Sequence, residues 1–150
     1  MSTAPWLRPE RPALQASLRI RHPNLDPHSI SQVLQLSPTH AHRCGETRVG
    51  VGERISHYSE TYWLAPLPDH GFSGQPLDAP GNAAERLLQY WLAQLQRRRS
   101  FLQRVQAEGG QVALLVQWPT ATATGFVLTA AVARILGELA IDVEFELPPD

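Results

Sequence analysis

The chain has 150 residues, of which 43% are hydrophobic and 18% charged, values that fit one globular domain with a substantial core and exclude a disordered chain. A formal net charge of -1 gives no general attraction to nucleic acid or to an anionic membrane. A single cysteine excludes an intramolecular disulfide, and no apolar run approaches the roughly 20 residues needed to cross a bilayer. The opening MSTAPWLRPERPALQ lacks the apolar core of a signal peptide, so cytoplasmic residence is the default expectation.

Residues 1–12 hold Pro5, Pro9 and Pro12 and read as an irregular arm, leaving 13–150 as a single domain. LQASLRIR alternates, with Leu14, Ala16, Leu18 and Ile20 on one face and Gln15, Ser17, Arg19 and Arg21 on the other, which predicts a half-buried strand. Asp26-Pro27 is a helix start, since Asp accepts from free amides and Pro suits the first helical position. Ile30, Val33 and Leu34 form its buried stripe, and Pro38 is expected to end it. A glycine-spaced loop (Gly45, Gly50, Gly52) precedes a strand expected over 54–64. Residues 65–81, with four prolines and three glycines, read as a long surface loop.

Asn82 with Glu85 resembles a capping box opening a long helix with Leu88, Trp91, Leu92, Leu95, Leu102 and Val105 at helical spacing, stopped by Gly109-Gly110. Trp91, Leu92 and Leu95 should meet the sheet while Arg97 and Arg98 face water. QVALLVQW is a buried strand, TATATG a turn, and Thr129 caps the helix TAAVARILGEL. IDVEFEL closes the chain as an alternating strand, with Val143, Phe145 and Leu147 toward the core and Asp142, Glu144 and Glu146 opposite. The expected fold is α+β: a two-layer α/β sandwich, ferredoxin-like in arrangement, with strand-helix-strand halves and an extra long helix between them.

The order of features resembles a known family. An alternating strand is followed by Leu25, Asp26, Pro27, Ile30 and Leu34 in the pattern L-D-P-x-x-I-x-x-x-L. Pro38, Thr39 and Gly45 follow, then Arg54 and a strand reaching Trp63, the long helix, and a late helix leading to an acidic strand. This is similar to the bacterial domain of unknown function four-two-seven-nine (DUF4279). The resemblance implies no catalytic set, and some members resemble immunity proteins that neutralise secreted toxins.

His40, His42 and Cys44 stand at alternate positions, and a zinc ion would take a fourth ligand from His57 or His28. No recognised zinc spacing is present, and the simpler reading is an exposed turn after the helix, with Cys44 packed inward as a small hydrophobe. A Cys-His nucleophile needs a base and an oxyanion site that the sequence does not display. Asp69, His70 and Ser73 lack a G-x-S-x-G elbow. GETRVGVGER lacks the phosphate-loop pattern, and Arg97, Arg98, Arg99 and Arg104 read as a solvated helix face.

The acidic row Asp142, Glu144 and Glu146 is the candidate binding surface, suited to steering a basic partner. Its competing role is a cross-strand ladder with Arg19 and Arg21. Phe72 and Leu77 in the long loop are further candidate anchors. The sequence is therefore read as a binding protein, monomer or homodimer, with no catalytic, metal or cofactor residues assigned. A cognate protein toxin is the partner the resemblance implies. The alternatives are a small enzyme or metal-binding protein built on His40, His42 and Cys44, and a ligand-binding regulatory domain.

Overall fold

The computed structural model describes residues 15–50, 52, 54–68, 83–117 and 127–146. The proline-rich arm, Leu147, the Asn82 cap and the greater part of the expected long loop, including Phe72 and Leu77, lie outside the described residues. Strand β1 (Gln15–His22) buries Ala16, Leu18, Ile20 and His22 and leaves the residues between them at least partly exposed, as its alternation requires. Helix α1 (Pro27–Leu34) begins where Asp26 accepts a hydrogen bond from the His28 amide and Pro27 takes the first turn. It closes at Gln35, whose φ of 54° is left-handed, before Pro38 is reached.

The segment after α1 differs from its sequence reading. His40–His42 form a short strand, β2, in place of the expected turn, because their backbone pairs with Tyr62–Leu64. Thr47–Val49 (β3) and Ile55–His57 (β4) make a separate hairpin. The strand expected over 54–64 is thus divided: β4 carries no burial period, whereas β5 (Thr61–Leu67) alternates strictly through Thr61, Trp63, Ala65 and Leu67. β5 also takes in Ala65 to Leu67 from the expected loop. Pro66 is tolerated because β5 outruns the short β2, so the amide it lacks is not needed on that side.

The expected single long helix is two. α2 (Ala83–Gln96) and α3 (Arg99–Ala107) meet at a turn at Arg97-Arg98, where amides bond to carbonyls three residues back. No Pro or Gly marks the break. α2 packs beside α4, while α3 lies on β6, and the bend lets Leu92 and Leu95 on one helix and Leu102 and Val105 on the other all be buried. α3 ends in a Schellman arrangement, Gly110 N–H to Val105 C=O at 2.8 Å and Gly109 N–H to Gln106 C=O at 3.0 Å. Gly109 takes a φ of +91°.

β6 (Gln111–Gln117), α4 (Ala130–Glu138) and β7 (Ile141–Glu146) complete the chain, with Thr129 Oγ1 accepting from the Val132 amide at the start of α4. The main sheet runs β2-β5-β1-β6-β7. β1 is antiparallel to both neighbours, and β6 and β7 are parallel. The fold is α+β, as expected, with strand-helix-strand halves flanking α2 and α3. β1 and β2, each antiparallel to β5, run parallel to one another with β5 between them, whereas β6 and β7 are parallel and adjacent, so the two halves share strand sense but not adjacency.

Leu18, Ile20, Trp63, Leu114 and Val116 from the sheet interlock with Ile30, Leu88, Leu92, Leu102 and Val105 from the helices. Phe145 departs from expectation: its parity points it to the helix side, yet it is 46% exposed, in line with burial that falls along the edge strand β7 from Ile141 onward. Among the described residues no helix is long and apolar enough to cross a membrane.

Candidate functional site on the open face of the sheet

Helices cover one face of the main sheet; the other carries the residues that alternate with the core. Register brings Arg19 level with Leu64 on one side and Ala113 on the other, and Ala113 level with Asp142. Arg21 lies level with Tyr62 and Gln111, and Leu115 with Glu144. Cationic residues thus occupy the central strand, and carboxylates the β7 edge.

The candidate residues Asp142, Glu144 and Glu146 do share this outward face, but they are not equivalent. Arg19 crosses β6 and grips Glu144 in a fork, Nη1 donating to Oε2 at 3.1 Å and Nη2 to Oε1. The small Ala113 lies level with Arg19 and is buried, leaving the crossing unobstructed. The hydrogen bond from Arg19 is the main reason the Glu144 carboxyl is held below the ordinary glutamate range, with the Arg19 and Arg21 charges adding to it. The same bond raises the Arg19 guanidinium. Glu146 accepts from Gln117 Nε2 at 3.0 Å. Asp142 has no partner among the described residues.

Arg21 does not join this ladder. Its Nε lies 3.8 Å from Glu60, and its guanidinium sits 5.8 Å from the centre of the Tyr62 ring. At the opposite edge His42 is stacked between Tyr58, 3.5 Å away between ring centres, and Tyr62 at 5.6 Å. The Arg48 guanidinium lies over the Tyr58 ring, 5.8 Å from its centre. The result is a row of three stacked rings, Tyr58, His42 and Tyr62, with an arginine at each end, Arg48 by Tyr58 and Arg21 by Tyr62, that ties the β3-β4 hairpin to the sheet.

His40, His42 and Cys44 do not converge. His40 Nδ1 is 3.1 Å from the Thr39 carbonyl, and Cys44 Sγ donates to the Ser59 carbonyl at 3.4 Å. Cys44 is therefore held by polar contacts and half-buried, not packed inward as a hydrophobe. Among the described residues no three His, Cys, Asp or Glu side chains are grouped so as to hold a metal ion.

Sequence reasoning missed two buried polar residues. Thr61 Oγ1 donates to the Leu25 carbonyl at 2.7 Å and accepts from the Cys44 amide at 3.1 Å. His22, level with Thr61, accepts the Asn24 and Leu25 amides at Nδ1, which places its proton on Nε2, 3.5 Å from Glu108. Together they fix the turn that launches α1. The signal was available: His22 continues the buried parity of Leu18 and Ile20, and Thr61 that of Trp63 and Ala65.

The family model described as Domain of unknown function (DUF4279) matches residues 12–149. The chain belongs to this family. For this DUF4279 chain no curated protein and no solved structure gives a match. The family description names no activity, so what this DUF4279 domain does has to be argued from its own surfaces.

Proposed function

We propose that this DUF4279 protein acts by binding a basic protein partner along the β7 edge of its open sheet face, in the manner of an immunity protein that neutralises a toxin. The observation that carries the reading is the charge left over there. Asp142, Glu144 and Glu146 share one side of an edge strand, and among the described residues only Glu144 is matched by an arginine. Such a partly compensated row, with Asp142 and Glu146 lacking an arginine among the described residues, would steer a cationic partner and set its register. The resemblance of some relatives to toxin-neutralising proteins supplies the biological setting. Carboxylates on an edge strand also prevent unwanted strand pairing, and the experiment separates the two roles.

The immobilised protein is offered lysate and secreted fractions of its source cell, and each captured protein is identified. Association of that purified protein is then measured against wild type and Asp142→Arg/Glu146→Arg by surface plasmon resonance. The reading expects a basic partner whose association slows at least about tenfold with the variant, with the difference shrinking in high salt. Equal rates for both proteins at every salt concentration reject it. So does a partner that is not basic.

A further inference from the structure

A cleft of about 550 Å³ opens on the helix layer, away from the sheet face, where the end of α1 meets the α2–α3 junction. Its volume falls in the range of roughly 300–1,000 Å³ typical of small-molecule sites. Leu34, Leu95 and Trp91 give it an apolar, largely buried side, and Tyr90 adds a second ring set edge-on to Trp91 at 5.4 Å. The Trp91 indole N–H is already engaged by the Pro68 carbonyl at 2.9 Å, so that donor is committed within the protein.

Arg97 and Arg98 complete the lining, and both are exposed. They are the two residues at which the helix is interrupted without any Pro or Gly, and the interruption places both at the cleft. No carboxylate among the described residues pairs with either. Both guanidinium groups border the cleft, so an anion seated there can be met by either or both. The first turn of α3, which starts at the next residue, has no acidic residue and no side-chain cap, so its positive end adds to the local field.

An apolar wall beside two uncompensated forked cations is the complement of one ligand class. We propose that this cleft binds an amphipathic organic anion, its flat apolar body against Trp91, Leu34 and Leu95 and its carboxylate or phosphate on Arg97 and Arg98. The site is independent of the β7 edge, and its occupancy does not depend on the partner proposed there.

The probes are 1-naphthoate and 1-naphthyl phosphate, with 1-naphthol as the neutral counterpart, titrated into the full chain by calorimetry and by the indole N–H resonances. The expected result is one site per chain for at least one anion, with 1-naphthol at least about tenfold weaker. Arg97→Gln/Arg98→Gln should weaken the anion about tenfold or more without lowering Tm, while Arg134→Gln on α4 leaves it unchanged. Whichever anion binds tighter identifies the head group. No binding of either anion, equal binding of 1-naphthol, or equal binding to the double variant overturns the proposal. Should the double variant fold poorly, wild type decides: anion affinity that does not fall between about 50 and 500 mM salt also overturns it.

Discussion

Arg19 and Glu144 are joined across an intervening strand: the guanidinium on β1 passes β6 and closes a fork on a carboxylate of β7. β6 and β7 arrive in the sheet as a parallel pair, which antiparallel β1 must accept at β6. The Arg19–Glu144 bridge ties β1 to β7 on the open face, while on the helix side α4 packs against both α2 and β7. The bridge also divides the acidic row, leaving Asp142 and Glu146 without an arginine partner among the described residues.

The bridge makes stability depend on pH in one direction. Glu144 is held below its ordinary range, chiefly by the hydrogen bond from Arg19. A carboxyl lowered in the folded state contributes above its unfolded value, and that contribution disappears as pH falls through its folded value. Glu144→Gln should therefore melt below wild type near about pH 7, and the gap should close on acidification through and below the ordinary glutamate range. Melting curves at successive pH values give the answer; a gap of constant size would mean the fork contributes nothing through its charge.

Two glycines should respond with opposite signs. A Cβ on Gly110 would stand 2.6 Å from Val105 Cγ1, 2.7 Å from Val105 O and 2.8 Å from Arg21 O. Two of these are backbone atoms, so the α3–β1 approach must open, and Gly110→Ala should cost about 1–3 kcal/mol. Gly137 lies within α4 with nothing near its missing Cβ, and Gly137→Ala should gain about 0.5–1 kcal/mol from helix propensity. Urea unfolding of the two variants tests both; a neutral Gly110→Ala would show that α3 does not press on β1 this closely.

Thr61 is wholly buried and serves two elements at once. Thr61→Val keeps its shape but strands the Leu25 carbonyl and the Cys44 amide, at a cost of about 1–3 kcal/mol. Thr61→Ser should recover most of that loss. Because the hydroxyl also anchors the Cys44 segment, the Val variant should react faster with a thiol reagent under native conditions. Unchanged thiol reactivity would show that the Ser59 carbonyl alone restrains Cys44.

Much of the fold was legible because local chemistry decided it. The alternation from Ala16 to Ile20, the Asp26-Pro27 start, the Thr129 cap and the stripe Leu88–Trp91–Leu92–Leu95 each depend on neighbours a few residues away. Arg97 and Arg98 are exposed as expected, but at a turn between two helices and not on the face of one, and the family followed from the order of these features. The division of 54–64 into two strands was less legible, since ISHY carries no burial rhythm and belongs to a hairpin away from the core.

What the sequence by itself determined is an α+β chain whose acidic residues Asp142, Glu144 and Glu146 lie on one side of their strand, because side-chain alternation is a property of the backbone. Tertiary structure alone decided that Glu144 meets an arginine, Glu146 an amide, and Asp142 no partner among the described residues. Arg19 is 125 residues from Glu144, and its reach depends on strand order, on register, and on the small Ala113 between them. It also decided that His40 and His42 join an edge strand, that the long helix bends at Arg97-Arg98, and that His22 and Thr61 bear polar atoms in the core. Each of these follows from where another element packs, and packing partners distant in the chain leave no periodic mark on the sequence.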